Sequence, residues 1–285
     1  MLPQSVLKRI GSLRFDGWVR VGVRRGKGPR RKFILDLLRR HNLKPWEDEF
    51  GNVYVEVGNS GRPLLFSAHM DVEHALLGDT LIRQKNSDLV GIIDDAVGCF
   101  LLLSLAMSHK RMSRVLYVFT ASEEEQRDGS YGRSASEVLR VLRRKEIRPV
   151  LCVAVDATYP RLLVHPDILA QAWDGATADQ LFDAGDNAQV YLDGFGDLRS
   201  ARVAQSISRS FGTPRVRVRD LVGWDEADIY RRVAPAFACG PVVFGKLDMV
   251  GQRMPRSNLS MAYRFLAFVR DEGHRFLHPS FKLPQ

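Results

Sequence analysis

The feature that most constrains this chain is an apolar, β-rich run that ends in three adjacent acidic residues. The run 115–120 has the composition of a buried strand, and Glu123, Glu124 and Glu125 follow it closely. Close carboxylates repel one another and raise each other's pKa, so a strand that delivers them to one point is costly. Either water at a solvated loop or a bound cation must offset that cost.

The composition is that of an ordinary globular protein with enough length for a large core. The chain has 285 residues, of which 45% are hydrophobic and 26% are charged. No apolar run is long enough to cross a bilayer and no signal-peptide pattern is present, so we expect a cytoplasmic protein without a membrane partner. Cys99, Cys152 and Cys239 lie far apart in apolar contexts and are interpreted as core residues.

The net charge of +9 is concentrated in local basic runs, which include residues 24–32 and 140–145. Such runs are typical of solvated helix faces. They contain few of the interleaved aromatic residues that a nucleic-acid groove uses, so we do not expect a nucleic-acid partner. A field that steers anionic ligands stays open as a further interpretation.

Strand and helix patterns alternate along most of the chain. The run 63–68 is continuously apolar, as in a central strand covered on both faces. Residues 96–107 predict an apolar helix, and residues 150–155 predict another buried strand. Strands separated by helices imply βαβ units, so the pattern predicts an α/β fold with a mixed, mainly parallel central sheet flanked by helices.

We interpret residues 1–285 as a single catalytic-type domain. Three stretches lack a clear pattern within it. They are an irregular N-terminal segment at 1–30, a loop-rich excursion at 157–197 and a C-terminal tail at 272–285.

Four predicted strand ends, or the turns just beyond them, carry acidic residues or histidine. The run 63–68 leads into His69 and Asp71, the run 89–93 into Asp94 and Asp95, the run 115–120 into Glu123 and Glu124, and the run 150–155 into Asp156. Ligands of open parallel sheets bind just outside the carboxyl ends of the strands. We therefore expect these four tips to converge on one crevice.

The residue types in these tips suit a divalent cation. Imidazole together with carboxylates matches Zn²⁺, and also Mn²⁺ or Co²⁺. His69 is the candidate nitrogen ligand. Asp71, two residues later, can accept the other ring N–H of His69 and fix its tautomer.

This set of motifs resembles the zinc-dependent exopeptidase superfamily, peptidase clan MH, which includes di-zinc aminopeptidases, carboxypeptidases and related deacylases. The matching segments are Ser-Ala-His-Met-Asp at 67–71, Gly-Ile-Ile-Asp-Asp-Ala-Val-Gly at 91–98, Thr-Ala-Ser-Glu-Glu-Glu at 120–125 with Gly-Ser at 129–130, and Val-Asp-Ala-Thr at 155–158. The turn 48–52 also matches. The resemblance covers most of residues 30–270 and implies a compact, phosphorylase/hydrolase-like fold of the zinc peptidase type.

Carried over by position, the resemblance implies a role for each acidic tip. His69 and Asp156 would hold one metal, Asp94 would bridge two metals, Glu124 would ligate the second, and Glu123 would be the general base. Asp95 would follow Asp94 across an unusual peptide bond.

The activity that the resemblance implies is hydrolysis of a peptide or amide bond by metal-activated water. An aminopeptidase-like exopeptidase matches best, with one or two Zn²⁺ ions and a short peptide or acylamino substrate. An oligomeric state is compatible with this interpretation.

The chain departs from the family in a late loop, where the family supplies a last histidine ligand. Residues 245–255 contain no histidine, and Gln252 or Arg253 lies at about that place. The enzyme could hold one metal, another residue could substitute, or the chain could be a catalytically degenerate relative that acts as a binding or scaffold protein. Candidate substitutes are Asp248, His165, His274 and His278. Arg253 in the second-metal pocket would be the most damaging case, because its fixed charge could replace the cation.

Overall fold

The computed structural model describes residues 1–12, 28–71, 82–109, 113–123, 132–159, 187–193, 197–219, 226–244 and 252–277. Within this part of the chain, none of the helices has both the length and the apolar character needed to cross a membrane.

Helices and strands alternate through the described residues. The strands are β1 (Trp46–Glu47), β2 (Val53–Val57), β3 (Ser60–His69), β4 (Arg83–Lys85), β5 (Asp88–Gly91), β6 (Ser113–Thr120), β7 (Leu151–Val155), β8 (Val190–Asp193), β9 (Val216–Val218), β10 (Ala236–Pro241) and β11 (Gln252–Pro255). The helices are α1 (Gln4–Ser12), α2 (Pro29–Arg40), α3 (Ala96–Met107), α4 (Arg133–Arg144), α5 (Leu198–Phe211), α6 (Ala227–Tyr230) and α7 (Arg256–Glu272), and a 3₁₀ helix (Gly273–Leu277) follows α7.

Eight of these strands form one sheet in the order β1-β2-β6-β3-β7-β10-β8-β9. Its four central strands, β6, β3, β7 and β10, are parallel to one another. Antiparallel pairs join β2 to β6 at one side and β8 to β10 at the other. The predicted mixed, mainly parallel sheet is confirmed. Strands β4, β5 and β11 form a separate antiparallel sheet.

The central sheet is buried on both faces, as the continuous apolar run 63–68 predicts. Leu64 and Phe66 of β3 pack in a cluster with residues of α1, α2, α3 and α7. Leu65, between them, packs in a second cluster with residues of α4 and α6. Because successive side chains of a strand point to opposite faces, helices must cover both sides of this sheet.

Among the helices that the structure describes, α3 is the innermost, because every residue from Ala96 to Ala106 is buried. A helix that is apolar all round is stable only when it is enclosed in this way. Asp95 caps its N-terminus, with the side chain accepting a hydrogen bond from the Gly98 N–H at 2.7 Å. The burial of α3 therefore fixes the position of the acidic pair that precedes it.

Part of the N-terminal segment is more regular than we expected. Residues 4–12 form α1, whose Leu7 and Ile10 are fully buried in the main cluster. The prediction of an irregular segment at 1–30 is wrong for these nine residues, because a short helix gains its stability from tertiary packing rather than from its own pattern. Residues 13–27 lie outside the described residues.

The other two unpatterned stretches also contain structure. Strand β8 lies within the excursion at 157–197, most of which is outside the described residues. The predicted tail begins with the 3₁₀ helix, and Gly273 lies against Leu64 of β3 and Leu151 of β7. The first residues of the predicted tail are therefore part of the packed structure.

Candidate metal centre

Three of the four predicted tips meet at one edge of the central sheet. His69 is the last residue of β3, Asp156 directly follows β7, and Glu123 lies three residues beyond β6. Strand β3 lies between β6 and β7, and all three run in the same direction. Their carboxyl ends therefore open on one crevice, as parallel topology requires.

The fourth tip reaches the crevice from a different sheet. We predicted a strand at 89–93 within the central sheet, but β5 ends at Gly91 and pairs with β4 and β11. The prediction is wrong because a short apolar run does not specify its pairing partner. Asp94 instead lies between β5 and α3, and the Asp94–Asp95 peptide bond is cis, which agrees with the unusual bond that the resemblance implied.

His69 is the centre of the cluster and is only 3% exposed. Its Nδ1 lies 3.1 Å from Asp71 Oδ1. Its Nε2 lies 3.1 Å from Asp94 Oδ1 and 3.7 Å from Asp156 Oδ1. An Nδ1–H donated to Asp71 leaves the Nε2 lone pair for a cation, which is the usual arrangement of a metal-binding imidazole.

The protonation properties of this cluster indicate a shortage of positive charge. Burial lowers the pKa of His69, but hydrogen bonds with the three surrounding carboxylates outweigh it and hold that pKa well above its ordinary value. Burial and the charge of Asp94 raise the pKa of Asp156 to about 7. Burial opposes ionisation of Asp94 too, but the hydrogen bond and the charge of His69, together with hydrogen bonds from Tyr159 and Asp156, outweigh burial and lower the pKa of Asp94. A divalent cation would supply the positive charge that these carboxylates lack.

Asp95 belongs to the same cluster, although we did not predict it as a ligand. One ligand atom each from His69, Asp95 and Asp156 lies within 4.8 Å of the others. Asp95 is fully buried, and within the described part of the chain its Oδ2 has no hydrogen-bond partner. An orphaned buried carboxylate oxygen beside an imidazole fits a cation, so the residues present suit the metal that the motifs predicted.

Glu123 is held at the rim of the crevice through its backbone. Three consecutive N–H groups beyond β6 are each bound by a side chain. Ala121 N–H donates to Asn52 Oδ1 at 2.9 Å, Ser122 N–H to Ser134 Oγ at 2.7 Å, and Glu123 N–H to both oxygens of Asp71 at 2.9 and 3.0 Å. Asp71 therefore connects the imidazole of His69 to the residue predicted as general base.

Sequence reasoning did not assign a role to Asn52 or Ser134. The available signal was the turn 48–52, which matches the family. In that turn, Asp48 accepts hydrogen bonds from the Gly51 and Asn52 N–H groups at 2.9 and 3.0 Å. The turn thus orients Asn52 toward the strand end that precedes Glu123.

Gln252 and Arg253, the two candidates for the missing histidine position, point in opposite directions along β11. Gln252 is fully buried, and its Oε1 accepts hydrogen bonds from Ile93 N–H at 2.6 Å and Asp94 N–H at 3.1 Å. The Arg253 side chain is 46% exposed and lies 3.7 Å from Asp88. The hypothesis that Arg253 fills the second-metal pocket is therefore excluded.

His274 is excluded as a substitute ligand. It follows Gly273, which packs against Leu64 near the amino end of the parallel part of β3. His69 is five residues further along that strand, a separation of about 16 Å. Glu124, the predicted ligand of the second metal, lies outside the described residues, as do Glu125, Asp248, His165 and His278.

Tyr159 is a site residue that sequence reasoning missed. It is 6% exposed, and its hydroxyl donates to Asp94 Oδ2 at 2.9 Å. Its only sequence signal was its position, three residues after Asp156 at the end of a strand. A tyrosine there is equally typical of a core residue, so the pattern could not identify it.

Arg30 lies beneath the metal centre. Our interpretation of the basic run 24–32 as a solvated helix face is wrong for this residue. It is 1% exposed, and its Nη1 donates to the Met70 carbonyl at 2.8 Å. Burial lowers the pKa of Arg30, whereas the negative charges of nearby carboxylates, including Asp95 and Asp71, raise it. The guanidinium is thus an internal counter-charge for the acidic cluster.

A glycine permits the close packing at the end of β7. Gly240 of β10 lies so near Asp156 that a Cβ at position 240 would be 1.5 Å from the Asp156 carbonyl oxygen. A side chain there would displace the Asp156 backbone, and with it one of the candidate ligands.

Comparisons with known proteins identify peptidases that resemble this chain in sequence or in fold. Residues 52–153 match the sequence profile of peptidase family M28. Within that span lie His69, Asp71, Asp94 and Glu123. A search of curated proteins finds no match to the sequence.

Solved peptidase structures share the fold over nearly the whole chain. An aminopeptidase from the archaeon Desulfurococcus kamchatkensis has a TM-score of 0.70 at 14% identity, covering 98% of this chain and 97% of that one. The TET aminopeptidase from a marine sediment thaumarchaeote has a TM-score of 0.68 at 11% identity, with coverage of 96% and 98%. The TET1 peptidase of Pyrococcus horikoshii has a TM-score of 0.60 at 12% identity, with coverage of 89% and 96%.

Proposed function

This chain has the fold of the zinc-dependent exopeptidase superfamily, as its motifs indicated, and on that premise we propose that it is a metal-dependent, aminopeptidase-like exopeptidase. The family match and the structural neighbours support a peptidase-type hydrolase. The finer proposal is that it removes residues from short peptides or acylamino compounds, with Zn²⁺ as the resident ion and Mn²⁺ or Co²⁺ as alternatives.

The observation that carries this proposal is the arrangement around His69. Its Nδ1 contacts Asp71, and its Nε2 is directed at the carboxylates of Asp94 and Asp156. We propose that these two carboxylates and Nε2 hold the cation, with Asp95 beside them. His69, Asp71 and Asp94 are buried, and burial of carboxylates so close together costs free energy unless a cation compensates for their charge.

The mechanism assigns a separate task to each of the chain's own residues. When bound, the cation supplies Lewis acidity for the scissile carbonyl and lowers the pKa of water. The Glu123 carboxylate takes a proton from the attacking water and passes it to the leaving amine. Asp71 keeps the His69 imidazole in one tautomer and also binds the Glu123 backbone N–H. It thereby fixes the position of the base Glu123 relative to the ligand His69.

The direct test is metal content measured beside activity. Purified protein is saturated with zinc, desalted and analysed for bound metal, and it is then screened with aminoacyl and acylamino substrates. We expect bound zinc and hydrolysis, and both should be lost in His69→Ala. His274→Ala, at the opposite end of the strands, is the matched control and should keep both.

The second candidate function is a catalytically degenerate relative that binds a ligand or serves as a scaffold. The observation that favours it is Gln252 at about the place where the family has its last histidine ligand. Protein that binds no metal and cleaves none of the substrates would support this candidate and contradict the first.

Assembly and location complete the proposal. The Pyrococcus horikoshii TET1 peptidase can assemble into a tetrahedron or a large octahedral shell, and we propose that this chain forms a homo-oligomer in the cytoplasm. Light scattering coupled to gel filtration measures the mass directly. A mass of 32.2 kDa, that of one chain, would contradict the oligomer.

A further inference from the structure

The two oxygens of the Asp94 carboxylate face different surroundings. Oδ1 lies 3.1 Å from His69 Nε2, on what we call the cation side, together with Asp156. Oδ2 accepts the hydroxyl of Tyr159 at 2.9 Å, on what we call the hydrogen-bonded side. Both oxygens therefore have defined partners, and the partners differ in kind.

The hydrogen bonds on this side all run in one donor-to-acceptor direction, from Gln252 through Tyr159 to Asp94. Gln252 Oε1 accepts from two backbone N–H groups, those of Ile93 and Asp94, which assigns its amide nitrogen to the other side. That nitrogen donates to the Tyr159 hydroxyl oxygen at 2.9 Å. Because the tyrosine oxygen accepts from Gln252, its own proton is directed to Asp94 Oδ2.

No member of this chain of hydrogen bonds is available as a metal ligand. The Gln252 oxygen is occupied by two donors, and its nitrogen has only protons to offer. The Tyr159 hydroxyl is a neutral donor whose proton occupies the Asp94 oxygen that a second cation would need. Gln252 is fully buried and Tyr159 is 6% exposed, so opening this chain would leave buried polar groups unsatisfied.

We propose that Tyr159 and Gln252 take the place of a second cation, so that this centre holds one divalent ion, on the cation side of Asp94. The inference rests on the proposed function, because it assumes that a cation binds at His69. Tyr159 is a positioning residue here. It donates a neutral hydrogen bond where a metal would place two positive charges, and it keeps Asp94 Oδ1 directed at His69.

Metal stoichiometry tests the inference separately from the proposed function. Full-length protein is saturated with zinc, desalted and analysed for zinc per chain, and one equivalent is the expected result. Two equivalents would overturn the inference and leave the proposed function standing. An absence of bound zinc would overturn the proposed function, and the inference with it.

A double variant tests whether these two residues exclude the second ion. Tyr159→Phe combined with Gln252→His removes the donor to Asp94 and provides an imidazole, and we expect zinc to rise from one equivalent toward two. Arg253→His is the matched control, since position 253 points out of the site, and it should stay at one. A double variant that is folded by circular dichroism and still binds one equivalent would overturn the assignment to Tyr159 and Gln252.

Tyr159→Phe alone gives a smaller perturbation that keeps the ring. We expect the cobalt-substituted variant to bind one equivalent with shifted visible absorption bands, because Asp94 loses its hydrogen bond and changes its donation to the ion. Arg253→Ala should leave the bands unchanged. An unshifted spectrum in Tyr159→Phe would contradict a positioning role for this tyrosine.

Discussion

The two sides of Asp94 are built from opposite kinds of chemistry. On the cation side, the buried imidazole of His69 lies among carboxylates, including that of Asp156, and they hold the pKa of His69 well above its ordinary value. On the hydrogen-bonded side, Tyr159 and Gln252 form a neutral chain in which Gln252 donates to Tyr159 and Tyr159 donates to Asp94.

The difference shows how one carboxylate can serve two purposes. A buried charge that is surrounded by other like charges is stable only with a cation, whereas a hydrogen bond from a neutral hydroxyl satisfies an oxygen without adding charge. A relative that places an imidazole at position 252 would have a charge-binding site on both sides. In this chain a glutamine amide occupies that place, and the site becomes asymmetric.

The largest expected effect is on turnover at the cation side. Glu123→Gln removes the base and keeps the shape of the side chain, so we expect kcat to fall by about 10²- to 10⁴-fold with zinc content unchanged. Steady-state kinetics on the best substrate, together with metal analysis, measures both quantities. Glu137→Gln on α4 is the control and should behave as wild type. Retained hydrolysis in Glu123→Gln would remove this residue from the mechanism.

The second-largest effect is expected on stability, when Arg30, the buried positive charge beneath the cation side, is removed. Arg30→Met leaves the acidic cluster without its buried guanidinium, and we expect the free energy of unfolding to fall by about 3–5 kcal/mol. Urea denaturation followed by fluorescence measures the loss. Arg31→Met removes the neighbouring arginine, which pairs with Glu47 near the surface, and should cost about 1 kcal/mol or less. Equal losses in the two variants would show that burial of Arg30 has no special role.

A smaller effect is expected for the residue that orients the imidazole. Asp71→Asn retains the side-chain shape but weakens the acceptor for His69 Nδ1–H, so we expect zinc affinity to fall about 10- to 100-fold. Competition with a chromophoric chelator gives the affinity. Asp36→Asn provides a control on α2, because the Asp36 side chain is 48% exposed. An unchanged affinity in Asp71→Asn would mean that the imidazole is oriented by other contacts.

The smallest effect concerns Glu226, a buried carboxylate near the cation side whose Oε1 has no hydrogen-bond partner among the residues described. Burial raises the pKa of Glu226. Its contribution to stability is therefore greatest below the unfolded-state pKa and is lost as the pH rises through the raised folded-state pKa.

We expect Glu226→Gln to raise the free energy of unfolding by about 1 kcal/mol above neutral pH. The gain should shrink as the pH is lowered toward the ordinary glutamate pKa of about 4.3. Urea denaturation of chelator-treated protein across this pH range measures the difference. A gain that does not vary with pH would show that ionisation of Glu226 is not its cause.

Much of the fold and part of the site could be predicted from local pattern. The run 63–68, the helix at 96–107 and the acidic residues at strand ends are signals carried by adjacent residues, and the structure contains the corresponding elements. His69 and Asp71 are two residues apart in the sequence, so their contact is a local property of the chain end that follows β3.

Long-range pairing could not be predicted in the same way. The strand before Asp94 belongs to the small sheet, and this depends on its pairing with β11, which is more than 150 residues distant in the sequence. Arg30 has the same sequence context as Arg31 and Lys32, which are more exposed, and only the packing of α2 over the centre buries it. Tyr159 acquires its role from contacts with residues 65 and 93 positions away.

The sequence by itself determined the chemistry that this chain can offer, namely one imidazole and several carboxylates at the ends of apolar strands. Only the tertiary structure decided which side of Asp94 carries charge, because that depends on whether Gln252 or Arg253 points inward. Successive residues of a strand face opposite ways, and the register of β11 against β5 selects which one is buried. That register is a property of the pairing between two distant segments, so the residues of either segment alone do not reveal it.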